Sequence, residues 1–161
     1  ECYTIPVYDG TESLCDIKRY RIGQKTLSTP GTSSGLFNRL HMINAKTVYL
    51  CEGEWDGMAM DWLLKINKIK NACAVAVSGA QTFKNGWIPW FQGKEVYCMY
   101  GHDGAGEKGQ LTVREKLTGV ASTLKYIHWP DNFPTGFDVR DWIKYGICVK
   151  KWKNYYLLPS P

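Results

Sequence analysis

Val48-Tyr-Leu-Cys-Glu52-Gly53-Glu-Trp-Asp56 is the stretch that decides the fold. An apolar run stops at a carboxylate and a glycine just where helical spacing begins, so it reads as strand, tight turn and helix start. A second junction of the same kind lies downstream, where Val96-Tyr-Cys-Met-Tyr100 runs into Gly101-His-Asp103-Gly-Ala-Gly106. In open α/β sheets ligands bind beyond the carboxyl ends of the strands. Glu52 and Asp103 are therefore delivered by two strands to one sheet edge. Such a pair can share Mg²⁺, which takes oxygen ligands and is typically held by one or two carboxylates plus substrate phosphates. The constellation points to phosphoryl chemistry.

Outward from these junctions the chain alternates strand and helix. The spacing predicts strands over 47–51, 73–78, 95–100 and 122–128, with helices over 54–68, 86–91, 105–117 and 139–145. The 54–68 helix is expected to bury a stripe of Met58, Trp62, Leu63 and Ile66. The run 73–78 is apolar almost throughout, as in a strand covered on both faces of a parallel sheet. A small parallel α/β sheet flanked by helices follows. Upstream, 2–8 and 14–22 are strand-like around the turn residues Asp9-Gly10 and predict a β-hairpin whose half-exposed face carries the charge. The small-residue loop 28–35 is the candidate boundary. The expected organisation is a β-rich subdomain over 1–43, the α/β sheet over 44–146 and a basic, aromatic tail over 147–161.

Composition narrows the class. The chain has 161 residues, 44% hydrophobic and 14% aromatic, enough for a sizeable core. No apolar run approaches the roughly 18–20 residues that span a bilayer, so no membrane association is expected. The chain opens at Glu1 rather than Met, as a processed chain or an excised fragment would. Six cysteines at 2, 15, 51, 73, 98 and 148 include no C-x-x-C pair, which argues against a zinc ribbon. Cys51, Cys73 and Cys98 sit in apolar runs where a free thiol behaves as a small hydrophobe, and a reducing compartment is expected.

The net charge of +5 is unevenly placed. Lys18, Arg19, Arg21 and Lys25 cluster in the hairpin, a candidate contact to a nucleic-acid backbone. Lys144, Lys150, Lys151 and Lys153 are interleaved with Trp142, Tyr145, Trp152, Tyr155 and Tyr156, a pattern that offers stacking faces to unpaired bases. A solvated face, with a C-terminal strand packed by its aromatics, explains the tail equally well.

The Glu52-Gly53-x-x-Asp56 turn, the element ending Asp103-Gly-Ala-Gly106 and the spacing between them resemble the Toprim domain of bacterial-type primases, topoisomerases and related nucleases. Gly31-Thr-Ser-Ser-Gly35-Leu-Phe-Asn38 and Phe137-Asp138-Val-Arg-Asp141-Trp-Ile are similar to segments that bracket Toprim in phage and plasmid primases and primase-helicases. The core of the resemblance covers about 44–146. A topoisomerase would need a large domain with a tyrosine nucleophile, and the overcoming-lysogeny-type nucleases with a Toprim domain normally accompany an ATPase. The hairpin and the Gly/Ser loop favour primase.

The resemblance implies Mg²⁺ or Mn²⁺, with Glu52 as general base or metal ligand, Asp103 as a direct or water-mediated ligand, and Asp56 as a third acid that orients a metal-bound water or pairs with a base. It implies that Gly53, Gly104 and Gly106 let phosphates approach. The bland roles are helix capping for Glu52 and Asp103, and capping or solvated positions for Asp138 and Asp141. The implied partners are a single-stranded DNA template, ribonucleoside triphosphates and a replicative helicase or further primase domains of a primosome. The implied location is the cytoplasm, that of the host for a phage protein. One position departs from the pattern: Gly101 stands where the family has the first Asp of a D-x-D pair. A non-catalytic Toprim module that binds nucleic acid or a partner protein, and a small Toprim nuclease, are the alternatives to RNA-primer synthesis.

Overall fold

The computed structural model describes residues 1–145 and the backbone of 157–159. A two-stranded hairpin of β1 (Tyr3–Tyr8) and β2 (Leu14–Tyr20) leads through α1 (Arg39–Met42) into a five-stranded sheet. The sheet elements are β3 (Thr47–Cys51), β4 (Ala72–Ala76), β5 (Glu95–Met99), β6 (Thr123–Ile127) and β7 (Leu157–Pro159). Their spatial order is β4-β3-β5-β6-β7; β7 runs antiparallel to β6 and the other pairs are parallel. Cys51 is level with both Ala76 and Met99 in the register, so the turns after β3, β4 and β5 leave the sheet side by side.

Helix α2 (Glu54–Ile66) and helix α4 (Val139–Lys144) lie over one face, where Tyr49, Cys51, Met60, Leu64, Met99 and Trp142 are buried together. Helix α3 (Gly104–Leu117) and a 3-10 helix at Asn85–Phe91 lie over the other, around Val48, Leu50, Val75, Cys98, Tyr100 and Val113. The near-continuous apolar character of β3, β4 and β5 follows from this double coverage. The element positions agree with the sequence reading except for the four-residue α1, and β7 falls in the tail, where a C-terminal strand is one of the two readings.

Two expectations are corrected. In α2 the buried row is Gly57, Met60, Leu63 and Leu64, while Trp62 and Ile66 stay 51% and 53% exposed and Met58 is half-buried. The helix carries two apolar rows at helical spacing. Gly57 selects between them, because only a bare Cα allows the approach to Ala76 and Phe37, whose atoms would lie 3.0 Å from an added Cβ. In the hairpin, charge does not keep to the exposed face. Alternation points Ile5, Val7, Asp16 and Lys18 inward, and both charged residues are buried.

The loop over 28–35 packs back on the hairpin: Thr29 donates its backbone N–H to Asp16 at 3.0 Å and its hydroxyl to the Ile17 carbonyl at 2.8 Å. Burial opposes ionisation of Asp16. The hydrogen bonds from the Thr29 backbone, Ser28 and Thr32, with Lys18 nearby, nevertheless hold its carboxyl below the usual range. Beyond the loop, Phe37 pairs with Ala76 along the outer side of β4. Cys2, Cys15, Cys51, Cys73 and Cys98 are free thiols. Among the described residues no helix is long and apolar enough to cross a membrane.

Candidate acidic site at the sheet edge

Strand β3 ends in Glu52 because the apolar run stops there, and β5 ends two residues before Gly101. The register brings the two together: the Gly101 N–H donates to Glu52 Oε2 at 3.2 Å. Asp103 follows at the N-cap of α3, where its Oδ1 accepts from the Ala105 and Gly106 N–H groups at 3.0 and 2.7 Å. Its Oδ2 makes no hydrogen bond among the described residues. The capping role thus occupies one carboxylate oxygen and leaves the other unengaged among the described residues.

The loop before α4 joins the same edge. His102 exchanges backbone hydrogen bonds with the loop, its N–H donating to the Phe137 carbonyl at 2.8 Å and its carbonyl accepting from Gly136 at 2.8 Å. Asp138 is set down next, as N-cap of α4, accepting from the Arg140 and Asp141 N–H groups at 2.8 and 3.1 Å. Arg140 then reaches both Asp138 and Asp56, its Nε standing 3.0 Å from Asp56 Oδ1. Asp138 was legible as a cap, but the guanidinium bridge between two helices gave no signal in the sequence.

These carboxylates feel one another. Burial pushes Glu52 above its usual value, and the charges of Asp103 and Asp138 push the same way against the Gly101 N–H. Asp56 is pushed up to about 7, first by burial and then by Asp138, with Glu52 adding to it and Arg140 opposing it. Crowded acids of this sort mark a functional site or a structural ion network. Asp56 is engaged by Arg140, while Glu52 and Asp103 have no cation beside them among the described residues.

The donors present decide what metal they fit. Among the described residues no three His, Cys, Asp or Glu side chains converge as a cage. Glu52 and Asp103 suit a single hard cation that keeps waters or phosphate oxygens as its other ligands. Asp56 has Arg140 on its Oδ1, so a cation drawn to it would compete with a guanidinium already in place. At Gly101 an added Cβ would lie 3.6 Å from Glu52 Oε2, ordinary contact distance, so this position faces the carboxylate and has room for a side chain.

The glycines divide by role. A Cβ on Gly104 would meet nothing within 4 Å, so the start of α3 is uncrowded there, although Asp103 already takes the Ala105 and Gly106 N–H groups. Gly106 is not a phosphate-approach residue: a Cβ there would stand 2.2 Å from the Gly101 carbonyl oxygen, so its bare Cα serves to seat α3 on the strand end. Gly53 is extended at the N-cap of α2 and lies beside Asp56.

Of the basic hairpin residues, Lys18 is placed differently from the other three. Its ammonium is buried against Glu54 in the first turn of α2 and against the Ser78 hydroxyl, and Ser78 donates to Glu54 at 3.0 Å. It is therefore not part of a solvated nucleic-acid face. Arg19, Arg21 and Lys25 are exposed. In the tail, Trp142 is core and Lys144 pairs with Asp141 at 2.8 Å, whereas Lys150, Lys151, Trp152, Lys153, Tyr155 and Tyr156 lie outside the described residues.

No family model and no curated protein sequence matches the chain. Solved structures do. The primase fragment of the bacteriophage T7 primase-helicase superposes with a TM-score of 0.66 at 18% identity, over 90% of this chain and 59% of that one. The zinc-binding and RNA polymerase domains of the Aquifex aeolicus primase superpose with a TM-score of 0.61 at 19% identity, over 88% of this chain and 36% of that one. A chain in the T7 lagging-strand DNA polymerase assembly, whose primase domains are bound to an RNA/DNA hybrid and dTTP, gives 0.61 at 16% identity over 89% and 72%. The fold is that of primase RNA polymerase domains, and the chain spans 36% to 72% of the length of these three.

Proposed function

We infer that this chain is the Toprim-bearing portion of a primase, joining ribonucleotides on a single-stranded DNA template. The observation that carries the reading is the placement of Glu52 directly after β3 and of Asp103 at the start of α3 on one parallel-sheet edge, with Asp138 near enough to act on the Glu52 charge. The shared fold with primase domains supports it.

The chain's own residues suit nucleotidyl transfer. Glu52, held above its usual carboxylate range, suits one of two roles, base towards an attacking 3′-hydroxyl or metal ligand. Gly104 leaves open space at the helix N-terminus, where a triphosphate can approach the N–H that Asp103 does not already take. Asp103 is locked by its own cap hydrogen bonds and presents its second oxygen without moving. Glu52 and Asp103 would hold Mg²⁺ or Mn²⁺, which when bound neutralises charge on the transferred phosphoryl group. A replicative helicase or further primase domains would be the partners.

Gly101 favours a second reading, a Toprim module that binds nucleic acid without catalysis. One experiment separates them. The chain and its Gly101→Asp variant are incubated with single-stranded template, labelled ribonucleotides and Mg²⁺. Template-dependent dinucleotides from Gly101→Asp that vanish on adding Glu52→Ala are expected. A folded Gly101→Asp protein that binds template and Mg²⁺ but yields none overturns the polymerase reading.

A further inference from the structure

The two faces of β2 have separate jobs. Successive side chains of a strand point to opposite sides, so Lys18 faces α2 while Arg19 faces away from it. Beyond the strand the chain turns at Gly23 and comes back, and Arg19 and Leu27 exchange backbone hydrogen bonds at 2.8 and 2.9 Å. This return brings Lys25 beside Arg19 and Arg21. The three side chains, with Cys2, Gln24 and Leu27, line a cavity of about 240 Å³ on the outer surface of the hairpin.

Among the described residues none of these three cations has an ion-pair partner, whereas Lys18, one position away, is buried against Glu54. Three like charges held around one cavity repel, and an anion in the cavity relieves that repulsion. Two of the three are arginines, whose planar fork matches phosphate geometry in a bidentate way. No aromatic side chain lines the cavity, so it offers charge and hydrogen bonds without a stacking face for a base.

We propose that Arg19, Arg21 and Lys25 form a phosphate-binding site on the outer face of the hairpin, separate from the acidic sheet edge. Its ligand is the phosphate of a nucleic-acid strand or of a free nucleoside triphosphate. In either case it reads no base, since phosphate contacts position a strand without carrying sequence information. A strand gripped there is held on the opposite side of the hairpin from Glu54.

The test uses the full chain and reads binding, not synthesis, so its failure is distinct from failure of the polymerase reading. Fluorescence anisotropy measures a labelled single-stranded oligonucleotide against salt for the chain, for Arg19→Ala/Arg21→Ala/Lys25→Ala and for Arg19→Lys/Arg21→Lys. The parallel arm measures alkylation of Cys2 by mass spectrometry, with and without oligonucleotide or ATP. If strand phosphates are the ligand, the alanine variant flattens the log–log salt slope by about two units, at roughly 0.7 per phosphate. The lysine variant then keeps most of the slope, and oligonucleotide slows Cys2 alkylation. If free triphosphate is the ligand, ATP protects Cys2 in the chain but not in the alanine variant, and the strand's slope is unchanged. An unchanged slope together with Cys2 alkylated at one rate under all conditions overturns the proposal.

Discussion

The backbone N–H of Gly101 donates to Glu52 Oε2 at 3.2 Å, and the Gly101 Cα is aimed so that a Cβ would lie 3.6 Å from that same oxygen. The end of β5 therefore both holds the carboxylate of β3 and leaves a vacant place opposite it. In the Toprim pattern that the sequence resembles, that place carries an acid.

Filling it should convert a two-carboxylate edge into a metal-dependent one. Gly101→Asp adds a like charge facing Glu52, so its melting temperature should fall below that of the parent without divalent cations. Mg²⁺ or Mn²⁺ at a hundred times its dissociation constant should return about 2.7 kcal/mol. Calorimetric titration and thermal melts of both proteins check this. Equal metal responses in the two would show that residue 101 does not face the ligand set.

The buried ion pair between hairpin and α2 carries a second prediction. Lys18 and Glu54 have side chains only 4% and 7% exposed, so Lys18→Met leaves a carboxylate stranded away from water. Removing one partner of such a pair costs about 3–5 kcal/mol. Urea unfolding should show that loss, and adding Glu54→Gln should recover much of it because the stranded charge is gone. A cost below about 1 kcal/mol, as for exposed pairs, would contradict the docking of the hairpin.

The two glycines at the start of α3 should respond in opposite directions. Gly104→Ala meets open space and should stabilise by about 0.4–1 kcal/mol through the unfolded chain. Gly106→Ala collides with the Gly101 carbonyl and should destabilise by about 1–3 kcal/mol, as overpacking does. Thermal or urea unfolding of the pair settles the comparison.

Asp56 gives the fold a pH dependence. Its carboxyl, ordinarily near 3.8, is pushed up to about 7 in the folded chain. Between these values the folded state holds a proton that the unfolded state has released. The stability linked to this group is therefore fully present below about pH 3.8 and is lost as pH rises to about 7. Asp56→Asn cannot ionise, so its stability relative to the parent should climb over that window and level off above it. Urea unfolding from pH 4 to 8 measures the difference, and parallel curves would refute the assignment.

Much of the architecture could be read from residue order because local signals and burial agree. The apolar runs of β3, β4 and β5 are strands covered on both faces, and Asp103 and Asp138 cap helices that begin where periodicity begins. The two strand-end acids were legible for the same reason. What escaped depends on contacts distant in sequence. Either of two apolar rows of α2 satisfies helical spacing, and the choice rests on Phe37 and Ala76 pressing on Gly57. Lys18 reads like its neighbours Arg19 and Arg21, and only Glu54, 36 positions away, makes it an interior residue. Arg140 joins Asp56 across 84 positions by packing of α4 on α2, which no local pattern encodes.

The outer strands of the five-stranded sheet also bear on how the molecule meets others. Along β4, Phe37 and Ala76 exchange backbone hydrogen bonds, and the Asn38 amide donates to the Ala74 carbonyl at 2.9 Å. Along β6, β7 supplies an antiparallel ladder. Unpaired strand edges template aggregation and strand addition from other chains. Here β4 is met by a backbone bridge at Ala76 and a side-chain amide at Ala74, and β6 is covered by β7, so among the described residues the open edge of the sheet lies at β7. A peptide adding a strand would therefore have to pair with β7 and not with the apolar strands at the centre of the sheet.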